Sequence, residues 1–308
     1  MPQTLKLALG PNQYYWPRQA MLDFYASIVD SPVDIVYLGE TVCARRHELR
    51  MDDWLEIGQV LADAGKEVVI STLPLIESAS DLKALRKLTD QAGFRIEAND
   101  MAAVNQLDEA GIEGWIAGPT LNVFNPQTLG WLQDMGARRW VAPPEMSRAD
   151  LTALVRACAR PPQVEVTAYG RLPLAYSARC FTARHFNLQK DTCEFRCLQF
   201  ADGIRLRTRE GEPFLTLNGI QTQSAQVHNL LADLPGVADA GVGILRILPQ
   251  GEHTADVITL FDEVRRQGLD PQLAFEHSHA YMTDAPCNGF WHGRAGVEQY
   301  VAPHSIAA

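Results

Sequence analysis

The sequence lacks long apolar runs and an excess of positive charge, and both absences narrow the possible functions. None of its 308 residues lies in an uninterrupted apolar stretch of about 18 residues, the least that a membrane-spanning helix needs. The amino terminus shows no basic segment followed by an apolar one, so a signal peptide is not predicted. The formal net charge of −10 disfavours broad attraction to nucleic acid. We therefore expect a cytoplasmic protein with no transmembrane segment and no nucleic-acid partner.

The sequence also lacks the short motifs of several enzyme classes. It contains no H-E-x-x-H zinc-peptidase motif, no G-x-S-x-G nucleophile elbow and no phosphate-binding P-loop. The segment Gly241-Val242-Gly243 does not complete a dinucleotide-binding loop, because Arg246 stands where the third glycine belongs. A nucleotide cofactor is therefore not predicted, and the catalytic residues are unknown at this stage.

Short runs rich in valine and isoleucine alternate with segments of helical periodicity, which predicts βαβ units around a parallel sheet. Eight such runs favour a closed (β/α)8 barrel of the TIM-barrel type, and an open doubly wound sheet is the alternative. The predicted strands are Leu5–Leu9, Val33–Leu38, Glu67–Thr72, Phe94–Glu97, Gly114–Ala117, Arg139–Ala142, Gln163–Ala168 and Val242–Leu248. The predicted helices are Gln19–Val29, Met51–Ala64, Ser80–Ala92, Met101–Ala110, Pro126–Met135, Ser147–Ala159 and His253–Gln267.

The connection between the seventh and eighth runs is much longer than the others. It spans about 75 residues, whereas the first seven runs recur at intervals of about 20 to 35 residues, and so long a connection is uncommon in a compact domain. Two alternating stretches, Gly203–Arg209 and Pro213–Leu217, flank a Glu210-Gly211-Glu212 turn, and a helix-like stretch follows at Ala225–Leu234. We predict one barrel-like domain over residues 1–308, with an insert at about 176–240 that carries a β-hairpin.

Cysteine is scarce, yet three of the six cysteines fall in this insert as Cys180, Cys193 and Cys197. Cys43 follows the second predicted strand, and the loops after barrel strands all face one mouth, so it is expected near the other three. Four thiolates form the usual shell of a structural zinc ion or an iron–sulfur cluster. Unrelated buried cysteines are the alternative. The sequence has no C-x2-C pair, which disfavours a zinc ribbon, and ligands spread over a barrel mouth fit a cluster better.

Other polar residues near the strand ends have both functional and purely structural interpretations. Glu40 and Glu145 are candidates for a general base or substrate anchor, or for charges at helix amino termini. His277 and His279 fit an ordinary loop better than a chelating pair. Cys158 and Cys287 fit packed residues better than ligands. Five arginines also have two interpretations: Arg45, Arg46, Arg171, Arg179 and Arg184. In the functional one they neutralise the charge of a thiolate cluster or of an anionic substrate, and in the structural one they are scattered over the surface.

Several longer segments resemble the collagenase-like peptidase superfamily, and two others narrow the resemblance to a subunit of the oxygen-independent ubiquinone hydroxylation system. The superfamily segments are Tyr37–Cys43, Tyr169–Arg184 and Leu217–Thr222. The narrowing segments are Gly10-Pro11 with Tyr15-Trp16-Pro17, and Cys287–Trp291.

The resemblance implies a 4Fe-4S cluster whose irons are held by Cys43, Cys180, Cys193 and Cys197. It also implies a heterodimer with a UbiU-like paralogue, and a UbiT-like lipid-binding accessory protein. The implied reaction is anaerobic hydroxylation of the aromatic ring of the ubiquinone precursor, with prephenate as hydroxyl donor. A peptidase of the superfamily's namesake type, or a non-catalytic RNA-modification accessory protein, is the alternative.

Overall fold

Strands form at all eight predicted apolar runs, with ends within two residues of those expected. The computed structural model describes residues 5–91 and 93–301, so the predicted helix end at Ala92 and the predicted domain bounds at 1 and 308 lie outside the described residues. In chain order, the strands of the described residues are β1 Lys6–Leu9, β2 Ile35–Leu38, β3 Glu67–Ser71, β4 Arg95–Ala98, β5 Ile116–Ala117, β6 Arg139–Val141, β7 Gln163–Gly170, β8 Pro173–Tyr176, β9 Ile204–Arg207, β10 Pro213–Asn218, β11 Gln221–Ser224, β12 Val227–Asn229, β13 Ile244–Ile247 and β14 Pro286–Cys287.

Strands β1 to β7 and β13 form a closed parallel barrel. Each of β1 to β6 pairs with the next strand in chain order, and β13 pairs in parallel with both β1 and β7. The predicted TIM-barrel-like (β/α)8 fold is therefore confirmed, whereas an open doubly wound sheet would leave two edges. A cluster of buried apolar side chains has members on six of the eight strands: Ala8, Ile35, Tyr37, Val69, Ile116, Val141 and Ile244.

Helices pack around this barrel where the periodicity predicts them. Those that correspond to predicted helices are α1 to α6 and α9, each within two residues of the expected ends. Local capping helps to fix their starts: the Ser147 and Asn125 side chains accept backbone N–H groups at the beginnings of α6 and α5. The helices of the described residues are α1 Arg18–Ile28, α2 Met51–Asp63, α3 Ala79–Gln91, α4 Met101–Glu109, α5 Pro126–Asp134, α6 Arg148–Ala157, α7 Phe181–His185, α8 Leu234–Asp239, α9 Thr254–Arg265 and α10 Pro271–Ser278.

A network of buried ion pairs also lies inside the barrel, and no sequence pattern predicted it. The Arg246 guanidinium, on β13, donates to Glu165 on β7 and to Glu97 on β4, at 2.7 Å each. Arg139, at the start of β6, donates to Glu67 at 2.7 Å. Buried charges are tolerated when they are paired and hydrogen-bonded in this way.

The long connection forms a second, four-stranded antiparallel sheet in the order β8-β11-β10-β9. Strands β9 and β10 pair as the predicted hairpin. The predicted helix at Ala225–Leu234 is wrong, because Val227–Asn229 form β12, which pairs antiparallel to β7. A 3-10 turn begins only at Leu231, whose N–H is accepted by the Asn229 side chain, and α8 follows it.

The second sheet reaches the segment after β1 through a set of side-chain amides. Gln13 accepts hydrogen bonds from the Gln223 side chain at 2.8 Å and from the Gln221 side chain at 3.3 Å. Gln221 also donates to the Tyr176 hydroxyl at 2.7 Å. The insert is thereby fixed over the carboxyl end of the barrel. No helix among residues 5–91 and 93–301 is long and apolar enough to cross a membrane.

Candidate functional site

The first part of the site is the loop that follows β2 and carries Cys43. The Glu40 carboxylate accepts the backbone N–H of Val42 at 2.8 Å and that of Cys43 at 3.1 Å, which fixes the turn. Gly39 has a φ of +111°, and a Cβ there would lie 2.8 Å from the Ser71 carbonyl oxygen. The loop therefore requires glycine before Glu40. Glu40 stabilises the turn that carries Cys43 by accepting these N–H groups, and it is not a charge at the start of a helix.

The second part is the start of α7, where Cys180 is the capping residue. Its sulfur accepts the Ala183 N–H at 3.4 Å. The tight turn between β10 and β11 anchors this segment, because the Gly219 carbonyl accepts the Phe181 N–H at 2.7 Å and the Gly219 N–H donates to Thr182 at 3.0 Å. Gly219 has a φ of +63°, which favours glycine. The hairpin thus positions the first cysteine of the insert.

Cys193 directly follows the 3-10 turn Lys190–Thr192, and Cys197 lies in the next 3-10 turn, Arg196–Gln199. Two successive residues between the cysteines, Glu194 and Phe195, have φ values of +52° and +51°. Left-handed backbone at consecutive non-glycine residues is unfavourable and persists where the surroundings impose it. The Phe195 ring packs on Tyr15, with centroids 5.9 Å apart, so the segment after β1 helps to hold this turn.

The cysteines of these three segments are neighbours in pairs, and Cys180 is the residue that links them. Cys180 packs against the small apolar cluster that contains Cys43. The pKa of Cys43 is raised to about 11, mainly by burial and with a smaller contribution from the neighbouring Cys180. Burial also raises the pKa of Cys197, with contributions from nearby Cys180 and Cys193. Residues more than a hundred positions apart in the sequence therefore meet at the barrel mouth.

Arg46 is the cation of this site, and its side chain is only 1% exposed. It donates to the Gln13 carbonyl at 2.7 Å and to the Asn218 side chain at 2.8 Å, and it lies 3.5 Å from Glu40. Its charge lowers the pKa values of Cys43 and Cys197 against the larger effect of burial. Its Nε is buried and has no hydrogen-bond partner among the described residues.

These residues fit an anionic iron–sulfur cluster. The set offers four sulfur ligands, a buried guanidinium and a buried N–H without a partner, and such donors stabilise cluster sulfur. Since burial raises the pKa values of Cys43 and Cys197, their ligation requires a metal charge that deprotonates them. Within residues 5–91 and 93–301, no group of three or more histidine, cysteine, aspartate and glutamate side chains was found that could hold a single metal ion. The assignment of all four cysteines to one cluster stays a prediction.

The other candidate arginines divide into structural and exposed residues. Arg45 bridges the two cysteine segments through Asp191 at 2.9 Å. Arg171 is buried and donates to the Ser224 carbonyl at 3.2 Å, so the surface interpretation is wrong for Arg171 and Arg46. Arg179 and Arg184 are exposed, as that interpretation expects.

The remaining candidates do not join the cysteines. Glu145 is exposed in the connection before α6, and His277 and His279 are exposed near the end of α10. Cys158 ends α6 half-buried, and Cys287 is fully buried in β14. Sequence reasoning missed three contributors, namely Gln13, Asn218 and Thr182. The only signal in the sequence was the resemblance of two superfamily segments, Leu217–Thr222 and Tyr169–Arg184, which contain Asn218 and Thr182.

The fold and the site together define the class of protein. It is a parallel (β/α)8 barrel whose mouth is covered by a cysteine-bearing insert. The sequence pattern of peptidase family U32 matches residues 22–285, and the chain belongs to that family. Among solved structures, the U32 peptidase Mk0906 is similar with a TM-score of 0.46 and 13% identity, over 81% of this chain and 94% of that one. A tryptophan synthase from M. tuberculosis has a TM-score of 0.43 and 14% identity, over 89% and 92%.

Proposed function

We propose that this chain is the UbiV subunit of the oxygen-independent ubiquinone hydroxylation system. In this proposal it carries a 4Fe-4S cluster on Cys43, Cys180, Cys193 and Cys197 and works as a heterodimer with a UbiU-like paralogue. The pair hydroxylates the precursor ring with prephenate as hydroxyl donor, and a UbiT-like protein supplies the lipid-bound precursor.

One observation supports the proposal: Cys43 and Cys197, from distant segments of the chain, lie near the same buried arginine, and Cys180 lies near both of these cysteines. Arg46 is held by the segment after β1 and by the β10–β11 turn, so the same contacts that close the insert over the barrel also place a cation beside the sulfurs. Such an arrangement is more specific than scattered buried cysteines, which have no need of a buried charge.

When bound, the cluster supplies one-electron redox chemistry. The protein's own residues hold the sulfur ligands, exclude water and set the local charge. The Ala183 N–H donates to the Cys180 sulfur, and the Arg46 guanidinium stabilises negative charge near Cys197. Glu40 holds the turn before Cys43 and keeps Arg46 oriented.

The reaction is tested under strict anaerobiosis with the chain, its paralogue, the prenylated ring precursor and prephenate labelled with oxygen-18 in its hydroxyl group. We expect labelled hydroxyl in the product, and its loss when Cys43 or Cys197 is replaced by alanine. Cys158→Ala is the matched control, since Cys158 lies at the end of α6 away from the site, and it should retain activity. Product formation that is unaffected by the site variants would refute the proposal.

Peptidase activity is the second candidate, and the family name favours it. In the parallel pair of β12 and β14, His228 and Cys287 lie in register, which suggests a cysteine–histidine dyad. Burial, however, raises the pKa of Cys287 to about 12 and lowers that of His228 to about 4. These shifts oppose a thiolate–imidazolium pair. Cleavage of a collagen-derived peptide that survives alanine at all four site cysteines would favour the peptidase.

A further inference from the structure

A groove of about 330 Å³ opens directly beside the Cys43 loop, between α2 and α3. Its floor is formed by the ends of β2 and β3, and most of its wall is apolar. Such a volume lies at the lower end of the range for small-molecule pockets, about 300 to 1,000 Å³. The apolar wall is formed mainly by Leu49, Met51, Trp54, Ile76, Leu85 and Leu88.

The inner end of the groove is polar and belongs to the cysteine site. Glu40 and Arg46 both line it, beside the Ser71 and Thr72 segment that ends β3. The two charges lie 3.5 Å apart and offset each other, so the inner end has little net charge.

The outer end opens to solvent between charged side chains of both signs. Arg50 at the start of α2, and Asp81 and Lys87 on α3, line this end. A ligand that is apolar along most of its length can leave its far end here without burying a charge. The groove is therefore polar at the cysteine site, apolar along its middle and open at the outside.

We propose that this groove binds an uncharged aromatic molecule with an apolar tail, with its ring at the inner end beside Glu40 and Arg46 and its tail between α2 and α3. This inference rests on the proposed function, because it assigns the quinone-type substrate of the pair to this chain. The apolar wall recognises the tail, and the offset charges at the inner end disfavour a charged head.

The test uses ubiquinone with a single isoprenoid unit as the probe, and calorimetry on the anaerobically purified full chain as the measurement. Ala84→Trp fills the groove from its α3 wall at a position exposed to solvent, so the fold is not at risk. Leu82→Trp is the matched control, because Leu82 is 39% exposed on the same helix but does not line the groove. Iron content is measured on every sample.

Wild type and Leu82→Trp should bind the probe with equal affinity, and Ala84→Trp should bind it about tenfold or more weakly, which is about 1.4 kcal/mol. Equal binding by both tryptophan variants, or no binding by wild type, would overturn the groove assignment. Neither result would affect the cluster assignment if iron is present. Conversely, if a chain that never holds iron binds the probe, the groove assignment is supported and the proposed function is contradicted.

Discussion

Replacing Arg46 by methionine should destabilise the chain strongly even without any cofactor. The substitution keeps the apolar stem but removes the charge and the donors to the Gln13 carbonyl and to Asn218. It also leaves the Glu40 carboxylate without its cation, at a site where burial already raises the carboxyl pKa. Breaking a buried pair by removing one partner typically costs about 3 to 5 kcal/mol.

We expect the lower end of that range, about 3 kcal/mol, because the Glu40 side chain remains 23% exposed. Urea unfolding of the metal-free chain, followed by circular dichroism, measures this loss. Arg46→Lys keeps the charge but not the forked hydrogen bonds, and should lose less.

A double-mutant cycle with Glu40→Gln separates the charge from the packing. Glutamine keeps an oxygen that accepts the Val42 and Cys43 N–H groups, so Glu40→Gln in the Arg46→Met background should recover about 1 kcal/mol or more. A loss of less than about 1 kcal/mol in Arg46→Met, or no recovery in the double variant, would refute the assignment of Glu40 and Arg46 as a coupled buried pair.

Two further predictions concern a turn and a buried histidine. Gly219→Ala places a Cβ 2.9 Å from the Arg46 guanidinium at a φ of +63°, so in urea unfolding it should lose more stability than Gly211→Ala, which has a φ of +94° and open space around it. Equal losses of stability in the two variants would show that a Cβ at position 219 does not clash with Arg46. His228 should make the fold sensitive to acid, because burial lowers its pKa to about 4 from 6.5. Its contribution is fully present above pH 6.5 and is lost by up to about 3 kcal/mol as the pH falls toward 4. His228→Gln should flatten that part of the pH–stability curve. An unchanged slope would contradict the conclusion that His228 causes the loss of stability in acid.

The barrel could be predicted from the sequence because its strands are short, buried on both faces and regularly spaced. Continuous apolar runs such as Val33–Leu38 and Glu67–Thr72 are typical of parallel strands covered by helices. The periodicity of the intervening segments then gave α1 to α6 and α9 to within two residues. Strand β12 could not be predicted in this way, because Val227–Asn229 become a strand through pairing with β7, and a local pattern does not reveal that partner.

The cysteines of the site could be predicted as a group, but not the residues that organise them. The barrel topology alone brings the loop after β2 to the insert after β7, so Cys43 was grouped with the distant cysteines. Arg46, by contrast, looked like one surface arginine among several. Its hydrogen-bond partners lie 33 and 172 positions away in the sequence, and only the folded insert brings them together. The same holds for the charges of the barrel interior, where Arg246 meets Glu97 from a strand 149 positions earlier.

The central claim is that Cys43, Cys180, Cys193 and Cys197 hold one iron–sulfur cluster. The most direct test is the iron and acid-labile sulfide content per chain after anaerobic purification, in wild type, Cys180→Ala and Cys158→Ala. The account predicts about four irons and four sulfides in wild type and in Cys158→Ala, and their loss in Cys180→Ala. Stoichiometric zinc without sulfide in the wild type, or an iron content that Cys180→Ala leaves unchanged, would contradict it.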